Sequence, residues 1–94
     1  MAFDWDKLLE IANKNEQSEI DCLKRLVGIP TCYGKQHDMK PIIIRLTEEF
    51  EKRGYVVQTF QTSGAPVFVA EMNRGMSKTL LFYNHYDVQP EEPL

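Results

Sequence analysis

The chain has 94 residues, with 11 basic and 14 acidic side chains that give a net charge of −3. This length corresponds to one small domain, and a hydrophobic content of 43% is enough for one modest core. Because there is no basic excess to neutralise phosphates, nucleic-acid binding is disfavoured. The N-terminus, MAFDWDK, lacks a basic region followed by an apolar one, and no apolar run approaches membrane length, so we expect neither a secretory signal nor a membrane span.

The cysteine content indicates a reducing environment. Cys22 and Cys32 are too few for a disulfide scaffold, and they lack the CxxC spacing of a redox or zinc pair. We therefore expect two free thiols and a cytoplasmic protein.

The first predicted element is a long helix over residues 4–27. Apolar residues recur at spacings of three and four, Asp4 is a suitable N-cap, and Gly28 and Pro30 stop the helix. Its apolar face is expected to lie in the core, beginning with Trp5, Leu8 and Leu9.

A second helix is predicted from about Asp38 to Gly54. Pro41 is tolerated in its first turn, and Gly54 suits a left-handed terminating residue. The charged residues near its end are expected to form an ordinary solvated surface: Glu48, Glu49, Glu51 and Lys52.

Three strands are predicted after the second helix. Residues 55–62 and 67–72 alternate in character and are separated by turn residues, which predicts an antiparallel hairpin. Residues 79–84 are apolar on both faces, which is typical of an inner strand. The expected fold class is α/β, with two helices packed on a three-stranded mixed sheet formed by the hairpin and one inner strand. So small a sheet should leave apolar surface and a bare edge exposed.

Two residues at the end of the inner strand could carry chemistry. His85 lies where ligands gather in open α/β sheets, and Asp87 follows two residues later. In extended backbone both side chains point the same way, so the carboxylate can bind one imidazole nitrogen and leave the other for a metal. The spacing alone equally fits a polar strand end that faces water.

Other candidate residues are weaker. His37, at the predicted start of the second helix, is expected to be a solvated or capping residue, and Glu91 and Glu92 are not expected to act as a general base. A mononuclear metal site formed by His85, Asp87 and His37 remains an alternative at this stage.

The segment TLLFYNHYDVQP, residues 79–90, resembles the first metal-ligand segment of the dinuclear zinc peptidase family. That family includes carnosinase-type dipeptidases, aminoacylases, acetylornithine deacetylase, succinyl-diaminopimelate desuccinylase and glutamate carboxypeptidase. The upstream segments LVGIPT and EKRGYVV agree in order and spacing, so the resemblance covers nearly the whole chain, and HYDVQP is most similar to the dipeptidase branch. The chain departs from many members at Asn84, where glycine is common, and at Thr31, where serine is common.

The resemblance implies a role for each residue of this motif. His85 corresponds to the first zinc-ligand histidine, and Asp87 corresponds to the catalytic-site aspartate that orients it. Residues 1–94 would form the N-terminal portion of a single metallopeptidase catalytic domain. The bridging aspartate, the Glu-Glu pair with the general base, a further acidic ligand and a late histidine would lie downstream, together with a dimerisation-type domain.

The resemblance also implies an activity for the intact protein. Two zinc ions, or alternatively manganese or cobalt, would activate a water that hydrolyses a peptide or N-acyl bond of a small substrate. The intact protein would be a homodimer without nucleic-acid or membrane partners, and this chain alone would be inactive. The alternative is a non-catalytic binding or assembly module of the same fold that pairs with another chain through its open sheet edge.

Overall fold

The computed structural model describes residues 3–90. In chain order they form helix α1 (Trp5–Val27), a short 3₁₀ helix (Tyr33–Lys35), helix α2 (Lys40–Glu51), and strands β1 (Val56–Phe60) and β2 (Val67–Glu71). Neither helix of this described part is long and apolar enough to cross a membrane.

Helix α1 forms as the sequence predicts. The side chain of Asp4 accepts a hydrogen bond from the Lys7 backbone N–H at 3.0 Å, and the Gly28 N–H closes the other end by donating to the Lys24 carbonyl at 3.0 Å. The predicted burial of its apolar face is wrong, since Trp5 is 67% exposed and Leu8 and Leu9 are also exposed. An apolar helix face is buried only where another element covers it. Helix α1 packs against α2, and no element of residues 3–90 covers the face that carries Trp5, Leu8 and Leu9.

Helix α2 also agrees with the prediction, although it begins at Lys40 rather than Asp38. The Asp38 carboxylate accepts a hydrogen bond from the Lys40 N–H at 3.0 Å, and Pro41 lies in the first turn, where its missing N–H costs nothing. After the helix, Gly54 has a φ of +91°, which lets the chain turn directly into β1.

The predicted hairpin is confirmed. Strands β1 and β2 pair antiparallel, with Val56 opposite Glu71 and Phe60 opposite Val67. Helix α2 packs on this hairpin through Phe50, whose ring centroid lies 5.4 Å from that of Phe68.

The predicted third strand is not confirmed. Residues 79–84 have no regular secondary structure, and the sheet in the described residues has two strands rather than three. The side chains of Leu80, Leu81, Phe82 and Tyr83 are 75–86% exposed. An apolar pattern predicts that a segment will be covered, but a strand also needs a neighbouring backbone with which to form a hydrogen-bond ladder.

The core is small and lies where the loop after α1 meets the two helices. The buried apolar residues are Cys22, Cys32, Met39 and Ile42, and the buried polar residues are Thr31 and Glu49. Both cysteines are free thiols, as predicted.

Candidate metal-ligating segment

His85 and Asp87 lie side by side. The His85 Nδ1 atom is 3.3 Å from the Asp87 Oδ1 atom, although the side chains are 72% and 44% exposed. The Tyr83 ring packs edge-on against the imidazole, with ring centroids 5.5 Å apart. The imidazole is therefore oriented with Nδ1 toward the carboxylate, which leaves Nε2 as the nitrogen for another ligand.

Two hydrogen bonds flank Asp87 and tie this segment to the rest of the molecule. The Tyr86 hydroxyl donates to the Pro66 carbonyl, and the Val88 backbone N–H donates to the Thr31 carbonyl at 3.2 Å. Burial raises the pKa of the Tyr86 phenol above its ordinary value, and the nearby Asp87 charge raises it further. These contacts were not predicted from the sequence, because Thr31 and Pro66 lie in loops far from the HYD motif along the chain.

His37 has different contacts from those of His85. It is half-buried, and its Nδ1 atom accepts a hydrogen bond from the Cys32 backbone N–H at 3.0 Å. No group of three histidine, cysteine, aspartate or glutamate side chains within residues 3–90 could hold a metal ion. The alternative site formed by His85, Asp87 and His37 is therefore not brought together, whereas Glu91 and Glu92 lie outside the described residues.

The residues of the described chain fit one metal ligand and the carboxylate that orients it. A catalytic zinc ion takes three protein ligands, and residues 3–90 do not assemble three. The described residues thus contain no complete metal site.

A second cluster of charged groups surrounds Glu49, and the prediction that this residue lies on a solvated surface is wrong. Its Oε2 atom lies 2.8 Å from Arg53 Nη1 and 3.1 Å from Lys52 Nζ, and it accepts a hydrogen bond from the Cys22 thiol at 3.4 Å. Its Oε1 atom accepts from Arg25 Nη2 at 3.3 Å. Hydrogen bonds from Arg53 and Lys52 hold the pKa of Glu49 well below its usual range, so the carboxylate is charged and joins α1 to α2.

A peptidase of known activity is similar to this chain. The Cys-Gly metallodipeptidase dug1 of Schizosaccharomyces pombe is 33% identical over 104 aligned positions, which cover 96% of this chain. The chain spans 22% of the length of that relative. The similarity supports a relationship to a metallodipeptidase, which is an enzyme that uses a metal to hydrolyse dipeptides.

Two further comparisons gave no match. No family model matches the sequence. No solved structure matches the chain either.

Proposed function

We propose that this chain is the N-terminal part of a metal-dependent dipeptidase or a related amidohydrolase. The observation that carries the proposal is the pairing of His85 with Asp87 at 3.3 Å. It is supported by the similarity to a Cys-Gly metallodipeptidase, which extends over 96% of the chain.

In this proposal His85 is a metal ligand through Nε2, and Asp87 orients it. A carboxylate that accepts the Nδ1–H proton fixes the imidazole tautomer and makes Nε2 a stronger donor to the metal. The metal would lower the pKa of a bound water and so supply the nucleophile for hydrolysis. The remaining ligands and the general base would come from sequence beyond residue 94.

The proposed substrates are small peptides or N-acyl amino acids. The proposed metal is zinc, as two ions in the intact protein, while manganese or cobalt also suit imidazole and carboxylate ligands. The buried free thiols, Cys22 and Cys32, support a reducing compartment such as the cytoplasm. The intact protein is proposed to be a homodimer.

The first test is to sequence the transcript past the codon for Leu94. We expect the reading frame to continue into a catalytic domain that includes a bridging aspartate and a Glu-Glu pair. A stop codon directly after Leu94 would contradict the proposal.

The second test uses the full-length product loaded with zinc, and Cys-Gly as the first substrate. We expect His85→Ala to abolish measurable hydrolysis, and Asp87→Asn to lower metal affinity or activity about 10–100-fold because it removes the group that orients the ligand. Lys78→Ala changes an exposed residue of the same segment and should leave activity unchanged. Full activity in His85→Ala would show that this imidazole is not a ligand.

The second candidate function is an assembly module that pairs with a second copy through its sheet edge. The observations in its favour are the exposure of the apolar residues 80–83 and a sheet that has two strands within the described residues. Sedimentation of the chain at micromolar concentration, with and without a chelator, distinguishes the two proposals. A stable dimer whose amount does not change when the chelator is added would favour the assembly module. A monomer would contradict the assembly module.

A further inference from the structure

The loop between α1 and α2 closes on itself through His37. The Cys32 backbone N–H donates to His37 Nδ1 at 3.0 Å, and the His37 backbone N–H returns a bond to the Cys32 carbonyl at 3.4 Å. Because the donor is a backbone N–H, Nδ1 is the acceptor and carries no proton. Cys32 is 2% exposed, so water cannot readily replace this acceptor.

The closed loop holds the segment that carries His85 and Asp87. Thr31, next to Cys32, is buried and accepts the hydrogen bond from the Val88 N–H at 3.2 Å. Farther along the loop, a methyl group on Gly34 would lie 4.0 Å from the Pro90 side chain, so this side chain lies close to the loop. The loop therefore contacts the segment immediately after Asp87.

We propose that His37 is a positioning residue for the HYD motif. It closes the loop of residues 31–37, the loop holds the Thr31 carbonyl in place for Val88, and this attachment keeps Asp87 beside His85. The consequence for metal binding rests on the proposed function, whereas the attachment itself does not.

The attachment has a direct readout in the isolated chain. Hydrogen exchange of the Val88 amide, measured by NMR on the metal-free 94-residue protein, reports whether its bond to Thr31 is formed. We expect His37→Ala to lower the protection of this amide about tenfold, the effect of a net loss of one hydrogen bond. His37→Asn places an amide oxygen close to the position of Nδ1, and it should restore most of the protection.

The same samples report on the His85–Asp87 pair. In the wild-type protein, ring ¹⁵N shifts should show the His85 tautomer with its proton on Nδ1, since this atom faces the Asp87 carboxylate. We expect His37→Ala to move these shifts toward the ordinary tautomer mixture, and His37→Asn to reverse the change. A residue that merely stabilised the fold would change these shifts only together with the protection of the β1–β2 ladder.

Two controls separate positioning from unfolding. Lys40→Ala alters an exposed side chain close to the loop and should leave Val88 protected. Amides of the β1–β2 ladder should stay protected in every variant, because the loop does not form that ladder.

Three results would overturn the proposal. The first is an unchanged Val88 amide in His37→Ala with the ladder intact. The second is an asparagine variant that recovers nothing, and the third is loss of the ladder in both variants, which would make His37 a support of the whole fold. None of these measurements needs metal, so a failure of the dipeptidase proposal would leave them interpretable.

Discussion

Glu49 is 5% exposed and yet charged, because cationic side chains from α1 and from the residues just after α2 surround it. Lys52 and Arg53 directly follow α2, and their spacing from Glu49 makes these two contacts predictable from the sequence. Helix α1 contributes Arg25 and Cys22, which no local pattern connects to Glu49. The sequence therefore predicts the charge of this residue correctly and its burial wrongly, since burial depends on how two distant segments pack.

The lowered pKa of Glu49 makes stability depend on pH. The folded-state pKa lies below the unfolded value of about 4.3, so the contribution is fully present above that value and is lost as pH falls through the folded pKa. We expect the thermal midpoint to fall by several degrees between pH 6 and pH 3, and Glu49→Gln to reduce this fall.

Glu48 provides the matched control for that experiment. It is the adjacent carboxylate, it is exposed, and its partner Arg45 lies 3.3 Å away. Glu48→Gln should leave the pH dependence close to that of the wild type, because exposed ion pairs contribute little. Equal effects of the two substitutions, measured by circular dichroism, would show that Glu49 is not the responsible group.

Secondary-structure elements that depend on local signals were predictable. Helix α1 follows from its periodicity and from the Asp4 cap, and the hairpin follows from alternation and turn residues. The pairing of His85 with Asp87 also follows from spacing in an extended chain. The strand predicted at residues 79–84 is not formed in the described residues, because an apolar pattern does not by itself supply the neighbouring backbone that a hydrogen-bond ladder needs.

Gly54 is the clearest test of an element boundary. Its φ of +91° places it in a region that residues with a Cβ atom rarely adopt. Gly54→Ala should destabilise the fold by about 1–2 kcal/mol, measured by urea unfolding. In Gly64→Ala the new methyl group would lie at ordinary contact distances, 3.7 Å from the Tyr33 hydroxyl, and stability should be nearly unchanged. A similar loss in both variants would mean that backbone conformation is not the cause.

The whole molecule is extended for its length. Its radius of gyration is 16.3 Å, whereas a compact domain of this size has about 12 Å. Its accessible surface is 8555 Å², compared with about 5,600 Å² for a compact monomer of the same mass. The exposed apolar face of α1 and the exposed apolar segment at residues 80–83 both contribute to this surface.

This excess surface predicts that the free energy of unfolding depends only weakly on urea concentration. The urea m-value scales with the surface exposed on unfolding, so it should be about 30% below that of a compact domain of equal length. The measurement is urea unfolding of the dilute chain beside such a domain. An m-value equal to that of the compact domain would show that the chain buries this excess surface in solution, and a dependence of the midpoint on protein concentration would assign that burial to self-association.

The two buried thiols lie in different parts of the molecule. Cys22 lies at the contact between α1 and α2, and Cys32 lies in the loop that His37 closes. An alkylating reagent can reach each sulfur only after the structure around it opens locally, so the labelling rate of each cysteine reports a different local opening. In a variant that keeps only Cys22, the labelling rate would measure the separation of α1 from α2. In a variant that keeps only Cys32, it would measure the opening of the loop.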